Sequence, residues 1–363
     1  MTSTVDNKSE VVQSGTTISI DAMGGDLGPA AVVAGIVRVV QKNKKIHFLL
    51  HGQQKQLQEL VAKRQSLKGR VTIIDSLEVI KMEDKPSHVV RHGKATSMWS
   101  AIDSVRDGDA SVCVSCGNTG ALMAISMVRL RKLNGVNRPA IAILWPSSNP
   151  MGFNVMLDVG ADVRADPKDL LQYALMGVSY ARNGLGIAKP RVGLLNVGTE
   201  EHKGRSELKE AYSKIEHCQL EANFVFEGFV EGGDIPGSKV DVIVTDGFTG
   251  NVALKTAEGT ASLVGYLLKE AFRFSPLSRL ASILAFTSLN RFKMRIDPRR
   301  VNGGVFLGLN GTVVKSHGSA DATGIEAAIK LAFELSNNDF LQKVAARVAY
   351  AGAIDNDVYD DAN

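Results

Sequence analysis

The stretch TTISIDAMGGDLGPAAVVAGIVRVVQK, residues 16–42, carries the pattern that decides the fold. It begins with a short apolar run, 16–21, that is typical of a buried strand. A glycine-rich junction follows, and the periodic apolar residues over 30–42 then predict a helix with Pro29 suited to its first turn. A strand, a glycine-rich turn and a helix in this order indicate an α/β fold.

The same alternation continues along the chain. Further strands are predicted at 45–52, 71–75, 111–115, 140–144, 154–158, 191–197 and 240–246, and further helices at 54–65, 97–108 and 118–133. Strands that alternate with helices favour a mainly parallel sheet that is covered on both faces. Because no internal repeat or low-complexity linker is visible, we expect a single α/β domain over 16–350, with tails at 1–15 and 351–363.

Composition and charge narrow the class of protein. The 363 residues are 44% hydrophobic and 22% charged, which is the balance of a soluble globular chain. The formal net charge of +4 is too small to indicate nucleic-acid binding, but it suits an anionic substrate, an acidic carrier protein or an anionic membrane surface. Three cysteines and a polar segment 1–15 without an apolar leader predict a reducing cytoplasm, and no apolar run is long enough to predict a transmembrane helix.

Polar, glycine-rich junctions follow several of the predicted strands. They are DAMGGDLGP (21–29), SCGNTGA (115–121), DVGAD (158–162), NVGTEEHKG (196–204) and TDGFTGN (245–251). Each one alone is explained by a tight turn. Ligands of open α/β sheets bind at the carboxyl ends of strands, where the next helix offers free N–H groups to a phosphate. Five junctions at this kind of position therefore predict a phosphate-binding site.

The segment 263–294 differs from the rest of the chain. It is helical in pattern, amphipathic and unusually apolar, with FRFSPLSRLASILAFTSLNRF (272–292) at its centre. Pro276 suits the start of a second helix, so we predict a protruding helical hairpin. The cations that punctuate or flank it are Lys269, Arg273, Arg279, Arg291, Lys293 and Arg295. Such a hairpin suits a membrane surface, or alternatively a dimer interface or a place in the core.

Sequence motifs of three common enzyme classes are missing. The chain has no P-loop sequence, no dinucleotide-binding GxGxxG after the first strand and no GxSxG elbow. Cys113 and Cys116 have CxxC spacing, but no second cysteine pair or nearby histidine completes a zinc site. We interpret these cysteines as structural thiols, with a redox or metal role as the alternative, and predict no metal site.

Seven motifs occur in an order that is recognisable. They are DAMGGDLGP, SCGNTGALMA, RPAIA, LDVGAD, RVGLLNVGTEEHKG, VTDGFTGNVALKTAEG and KSHGSA. Together they closely resemble the bacterial acyl-carrier-protein:phosphate acyltransferase family, from about Ile18 to about Leu335. This chain has Cys116 where the family usually has Ala, and Asp162 where it usually has Asn. The extra charge of Asp162 lies near the predicted anion site.

The resemblance implies a three-layer α/β/α sandwich similar to phosphotransacetylases and the isocitrate dehydrogenase group, and usually a homodimer. It implies transfer of a fatty acyl group from acyl carrier protein to inorganic phosphate, without a cofactor. The acyl phosphate would then serve a membrane glycerol-3-phosphate acyltransferase in phospholipid synthesis. The expected location is the cytoplasm, with peripheral association with the membrane.

This reaction needs few specialised residues. Phosphate is already anionic at pH 7, so the protein must mainly hold charge beside a thioester carbonyl and stabilise an oxyanion. We predict catalytic roles for Lys315, His317, Asn118 and Lys255, although Asn118 is equally suited to cap a helix. Lys255 lies one helical turn from Asn251, so both can face one pocket. The predicted substrate-binding residues are Gly24, Gly25, Asp26, Thr119, Gly120, Asp246, Thr249, Asn251, Gly318 and Ser319.

Three other functions remain open at this point. A phosphotransacetylase-like enzyme would use coenzyme A and a short acyl group, which needs no apolar hairpin. A metal-dependent decarboxylating dehydrogenase of the same fold group would need an aspartate cluster, and no convincing third ligand accompanies Asp158 and Asp162. A non-catalytic membrane scaffold would explain the hairpin but not the glycine-rich loops.

Overall fold

A computed structural model describes residues 15–296, 303–336 and 340–348. Most of the expected N-terminal tail and all of the expected C-terminal tail, 351–363, lie outside the described residues. The strands are β1 (Thr17–Asp21), β2 (His47–Gly52), β3 (Val71–Asp75), β4 (Val112–Ser115), β5 (Ala140–Pro146), β6 (Phe153–Leu157), β7 (Arg191–Leu195), β8 (Val225–Val230), β9 (Val242–Val244), β10 (Gly304–Leu307) and β11 (Thr312–Lys315).

These strands form one mixed sheet in the order β3-β2-β1-β4-β11-β10-β5-β6-β9-β7-β8. The pairs β11–β10, β10–β5 and β5–β6 are antiparallel, and the other pairs are parallel. The strands β1 to β4 and β11 therefore run in one direction, and β6 to β9 run in the opposite direction. The carboxyl ends of the two groups lie at opposite edges of the sheet.

Helices cover both faces of the sheet, which confirms the three-layer α/β/α arrangement. The helices are α1 (Gly28–Lys42), α2 (Gln54–Ala62), α3 (Pro86–His92), α4 (Ser97–Arg106), α5 (Thr119–Arg129), α6 (Pro167–Leu185), α7 (Ser206–Cys218), α8 (Gly247–Arg273), α9 (Pro276–Leu284), α10 (Phe286–Ile296) and α11 (Ala322–Ser336). One buried cluster joins α1, α2, α6, α7 and α11 to one face, and a second joins α3, α4 and α5 to the other.

Successive side chains of one strand point alternately to the two faces of the sheet. Ile18 and Ile20 of β1 point into the first cluster, whereas Ser19 points to the other face and donates a hydrogen bond to the carbonyl oxygen of Ala101 in α4. In β4, Val112 and Val114 belong to the first cluster. This alternation in a buried strand is what the two-faced covering of the sheet requires.

The predicted hairpin extends from the body in a form that differs from the prediction. Its first arm is not a separate helix from 263 but the second half of α8, which begins at Gly247. Helix α9 begins at Pro276, as predicted, and Ser275 caps it by accepting a hydrogen bond from the N–H of Ser278 at 3.1 Å. Along the described part of the chain, no helix is both long and apolar enough to cross a membrane.

Candidate functional site

Three glycine-rich loops pack together at the carboxyl ends of β1, β4 and β11. The N–H of Asp26 donates to the carbonyl oxygen of Gly318 at 2.7 Å. A methyl group added at Gly24 would lie 2.7 Å from the backbone nitrogen of Gly117, and one at Gly25 would lie 2.9 Å from the carbonyl oxygen of Gly318. Since real Cβ atoms do not approach so closely, glycine at these positions lets the three backbones touch.

A buried carboxylate under these loops fixes their positions. Asp21 is 1% exposed, and its oxygens accept hydrogen bonds from the hydroxyl groups of Ser97 and Ser115, both at 2.7 Å. The same carboxylate accepts longer bonds from the N–H groups of Met23 and Gly24. Asp21 thereby ties the end of β1 to β4 and to the start of α4, and it holds the loops that form the site.

Lys315 ends β11 within this group of loops. It is 9% exposed, and its ammonium group donates to the carbonyl oxygen of Gly117. Burial lowers the pKa of Lys315 to about 8, because the charged form loses hydration; the nearby carboxylates of Asp21 and Asp26 act against this shift. A partly desolvated cation of this kind interacts strongly with an anion that enters the site.

His317 and two residues of α8 face each other across the site. The Nδ1 atom of His317 lies 2.8 Å from the hydroxyl oxygen of Ser319 and accepts a bond from the Ser319 N–H at 3.2 Å. Neutral His317 therefore carries its proton on Nε2, which lies 4.0 Å from a carboxylate oxygen of Glu258. Glu258 also pairs with Lys255 at 2.8 Å. Sequence inspection missed Glu258, although its position three residues after Lys255 on a helix was the available signal.

These groups line a cavity of about 760 Å³. Its polar lining includes the predicted residues Asp26, Thr119, Gly120, Asn251, Lys255, Lys315, His317, Gly318 and Ser319. Thr119 and Gly120 occupy the first turn of α5, whose N–H groups have no acceptor within the helix. The cavity therefore combines cations and free N–H groups, which suits an anionic ligand.

The other predicted residues lie away from the cavity lining. Gly24 and Gly25 form the packed base of the first loop. Asn118 caps α5 by accepting a bond from the N–H of Ala121 at 3.0 Å, and its amide donates to the carbonyl oxygens of Met82 and Asp84. Asn118 therefore acts as the N-cap of α5, which is the alternative role given for it above.

The five glycine-rich junctions lie at the carboxyl ends of strands that run in two opposite directions. DVGAD, NVGTEEHKG and TDGFTGN follow β6, β7 and β9, which run opposite to β1, β4 and β11. Asp246 caps α8 at that opposite edge, where it accepts bonds from the N–H and hydroxyl groups of Thr249 and pairs with Arg205 at 2.5 Å. This end still contributes to the cavity, because Val159 and Gly160 of DVGAD line it together with Asn251 and Lys255 of α8. The amide of Asn251 donates to the carbonyl oxygen of Val159 at 3.2 Å.

The negative charge of Asp162, where the family usually has Asn, is balanced by a neighbouring cation. Its carboxylate pairs with the guanidinium of Arg138 at 2.8 Å and accepts a bond from the hydroxyl group of Tyr173 at 3.4 Å. It therefore places no free negative charge in the cavity. Nearby Asp158 is fully buried, which raises its pKa to about 6 despite bonds from four backbone N–H groups.

Cys113, Cys116 and Cys218 are buried, and none of the three is in a disulfide. Burial raises the pKa of the Cys116 thiol to about 11 and raises that of Cys113 further. Neither is a ready thiolate, so the geometry agrees with structural thiols rather than with a reactive CxxC pair.

The sequence of this chain is similar to those of a known protein family. Residues 16–343 match the model of the family described as "Fatty acid synthesis protein". The phosphate acyltransferase of Ruegeria sp. (strain TM1040) is 70% identical over 93% of this chain and 90% of its own length. That of Ruegeria pomeroyi is 67% identical over 94% of this chain and 92% of its own length.

Solved structures support the fold. A phosphotransacetylase from Streptococcus pyogenes superposes with a TM-score of 0.60 at 17% identity, covering 89% of this chain and 94% of that one. The EutD phosphotransacetylase of Staphylococcus aureus gives a TM-score of 0.57 at 14% identity with the same coverage. At such low identities the likeness concerns the fold alone, and it agrees with the expected phosphotransacetylase-like architecture.

Proposed function

We propose a donor and an acceptor for this chain, which belongs to the fatty acid synthesis protein family and is a phosphate acyltransferase. The acyl donor is a long-chain acyl carrier protein thioester, and the acceptor is inorganic phosphate. The observation that carries this proposal is the composition of one cavity. Lys315, His317 and the first turn of α5 give it a polar wall, and apolar side chains of β5 and α8 line another part of it.

The chemistry follows from these groups. An oxygen of phosphate attacks the thioester carbonyl carbon, and the carbonyl oxygen becomes an oxyanion. The C–S bond then breaks, the thiolate of the carrier leaves, and the acyl phosphate remains. We assign Lys315 and His317 to the phosphate and the oxyanion, since fixed donors aimed at developing charge lower the barrier most. Lys255 contributes less free charge, because Glu258 already pairs with it.

The donor is tested by incubating the full chain with inorganic phosphate and either palmitoyl carrier protein or palmitoyl-CoA, without added metal. We expect acyl phosphate, trapped as a hydroxamate, from the carrier-protein donor. Product from the CoA donor alone would move the chain to the phosphotransacetylase-like alternative. A folded protein that gives no product with either donor would favour the non-catalytic scaffold.

The hairpin supports a second part of the proposal, namely peripheral association of a cytoplasmic enzyme with an anionic membrane surface. Leu277, Ile283, Leu284 and Phe286 are each at least two-thirds exposed, which is unusual for large apolar side chains. Lys269, Arg273 and Arg279 lie close together beside the turn between α8 and α9 and suit anionic headgroups. A membrane glycerol-3-phosphate acyltransferase would then use the acyl phosphate as its substrate.

We expect the double variant Leu284→Asp/Phe286→Asp to lose most co-sedimentation with vesicles that contain anionic lipid, because it places two charges on the apolar face. The matched control, Thr287→Asp/Asn290→Asp, adds the same charge at exposed polar positions and should retain most binding.

The same variants separate the membrane from the alternative of a homodimer interface. Unchanged vesicle binding by Leu284→Asp/Phe286→Asp would sink the membrane proposal. If sedimentation velocity then showed a dimer in the control and a monomer in the double variant, the hairpin would be a dimer contact. We propose a homodimer in either case, on the resemblance alone.

A further inference from the structure

We propose that the apolar part of the cavity, between β5 and α8, holds the acyl chain of the donor, and that Ala257 and Ala261 set the longest chain that it accepts. The proposal deepens the proposed function and rests on it. The small side chains of Ala257 and Ala261 leave part of the cavity open. The inference therefore predicts which acyl chain lengths the enzyme accepts, which the proposed function alone does not.

One wall of this channel is a continuous stripe along α8. Asn251, Leu254, Glu258 and Ala261 recur at spacings of three or four residues, so they occupy one face of the helix, with Ala257 at its margin. The stripe from Asn251 to Ser262 spans about 16 Å at the usual rise of an α-helix. The wall is therefore extended, as a linear alkyl chain requires, rather than a compact cup.

The opposite wall is the face of β5. Ile141, Ile143 and Trp145 alternate along the strand and therefore point to the same side of the sheet. Ile141 and Trp145 are at least nine-tenths buried, and Ile143 packs against the same apolar cluster as Leu254 and Ala257. A helix stripe facing a strand face in this way gives a channel with apolar side chains on both sides.

The polar groups at one part of the cavity determine where the thioester carbonyl of the donor binds. Lys315, His317 and Glu258 line the same cavity as the apolar strip. A thioester whose carbonyl lies beside Lys315 and His317 can place its alkyl chain against β5 and α8 without leaving the cavity. Burial of each methylene group there is favourable, so a longer chain binds better until the space ends.

Ala257 and Ala261 face this space with only a methyl group. Both are partly buried in the chain alone, and both line the cavity. Leucine at either position would fill part of the channel without adding charge. On the solvent side of the same helix turns, Thr256 and Thr260 are exposed and do not line the cavity, so they provide matched control positions.

The experiment measures kcat/KM for palmitoyl and octanoyl carrier protein in the wild type, Ala257→Leu, Ala261→Leu, Thr256→Leu and Thr260→Leu. We expect at least one alanine variant to lower the palmitoyl-to-octanoyl ratio about tenfold or more, while both threonine variants keep the wild-type ratio. Turnover of the octanoyl donor shows that the variant is folded and that its polar groups act.

Two outcomes would overturn the inference: wild-type ratios in both alanine variants, or equal losses for both donors in folded protein. Failure of the proposed function looks different, because the wild type itself would then make no acyl phosphate from any carrier-protein donor. A binding readout is independent of turnover. Displacement of a fluorescent long-chain fatty acid by palmitate should weaken in the alanine variants only, and equal displacement in all five proteins would also contradict the channel.

Discussion

Replacement of Lys315 by alanine is expected to lower kcat/KM for acyl phosphate formation by about two orders of magnitude or more, with the fold retained. Loss of one preorganised charge or donor at a developing oxyanion has a cost of this size in other enzymes. Here the ammonium group lies in a buried loop cluster, where water does not replace it. The assay uses palmitoyl carrier protein and phosphate, and thermal unfolding checks the fold.

Two comparisons make this prediction sharper. Lys255→Ala should have a smaller effect, because Lys255 is more than half exposed and already pairs with Glu258. A folded Lys315→Ala variant with wild-type activity would remove Lys315 from the mechanism. A variant that loses its fold instead would show that the bond to the Gly117 carbonyl oxygen serves structure, and Lys315→Arg, which keeps the charge, would then separate the two roles.

The pH profile should show the same group. Because the pKa of Lys315 is lowered to about 8, its cation is present below that pH and is lost as the pH rises through it. We expect kcat/KM to fall with one-proton dependence above about pH 8, and the falling limb to move to higher pH in Lys315→Arg, since arginine stays protonated. A profile that is unchanged between wild type and Lys315→Arg would contradict this assignment.

Local signals in the sequence account for the elements that were predicted well. The strand over 16–21 is observed at Thr17–Asp21, and the helix over 30–42 is observed at Gly28–Lys42 with Pro29 in its first turn. A buried apolar run, a glycine-rich turn and a proline at a helix start act within a few residues of one another. Their effects are therefore readable without knowledge of the rest of the chain.

The direction of strand pairing explains why the glycine-rich junctions do not all lie at the same end of the sheet. Strands β8, β10 and β11 were not predicted, and length alone does not explain this, because β4 also has four residues and was predicted. Strand β10 runs antiparallel to both β11 and β5, so β5 keeps the direction of β11, and the reversal of the second half of the sheet arises where β5 pairs antiparallel with β6. The reversal moved Asp246 and Thr249 to the opposite edge, although TDGFTGN looks locally like the other glycine-rich junctions.

The cavity wall was missed for a related reason. The apolar character of 263–294 suggested a separate hairpin, whereas a single helix runs from Gly247 to Arg273. The half of α8 that precedes the hairpin supplies Leu254, Glu258 and Ala261 to the cavity. No local pattern distinguishes these positions from an ordinary amphipathic helix.

The second large effect is expected at Gly250 in the TDGFTGN motif. A methyl group there would lie 1.9 Å from the backbone carbonyl oxygen of Asp158. A backbone atom cannot rotate away as a side chain can, so Gly250→Ala must displace the start of α8 or the loop after β6. We expect a loss of about 3 kcal/mol or more in the free energy of unfolding, at the upper end of overpacking effects. Thermal unfolding and the acyl phosphate assay measure the outcome.

Gly259→Ala is the matched control for this change, because it lies on the same helix and a methyl group there meets nothing within 4 Å. It should stabilise α8 by about 0.5–1 kcal/mol, the usual preference for alanine over glycine within a helix. Gly247 has the same role as Gly250, since a methyl group there would lie 2.5 Å from both Asp158 Oδ2 and the carbonyl oxygen of Asp162. These glycines therefore seat α8 against the loop after β6, and through α8 they position the cavity wall, although neither lines the cavity itself. If Gly250→Ala matched wild type in both stability and activity, this close packing would not be what positions α8.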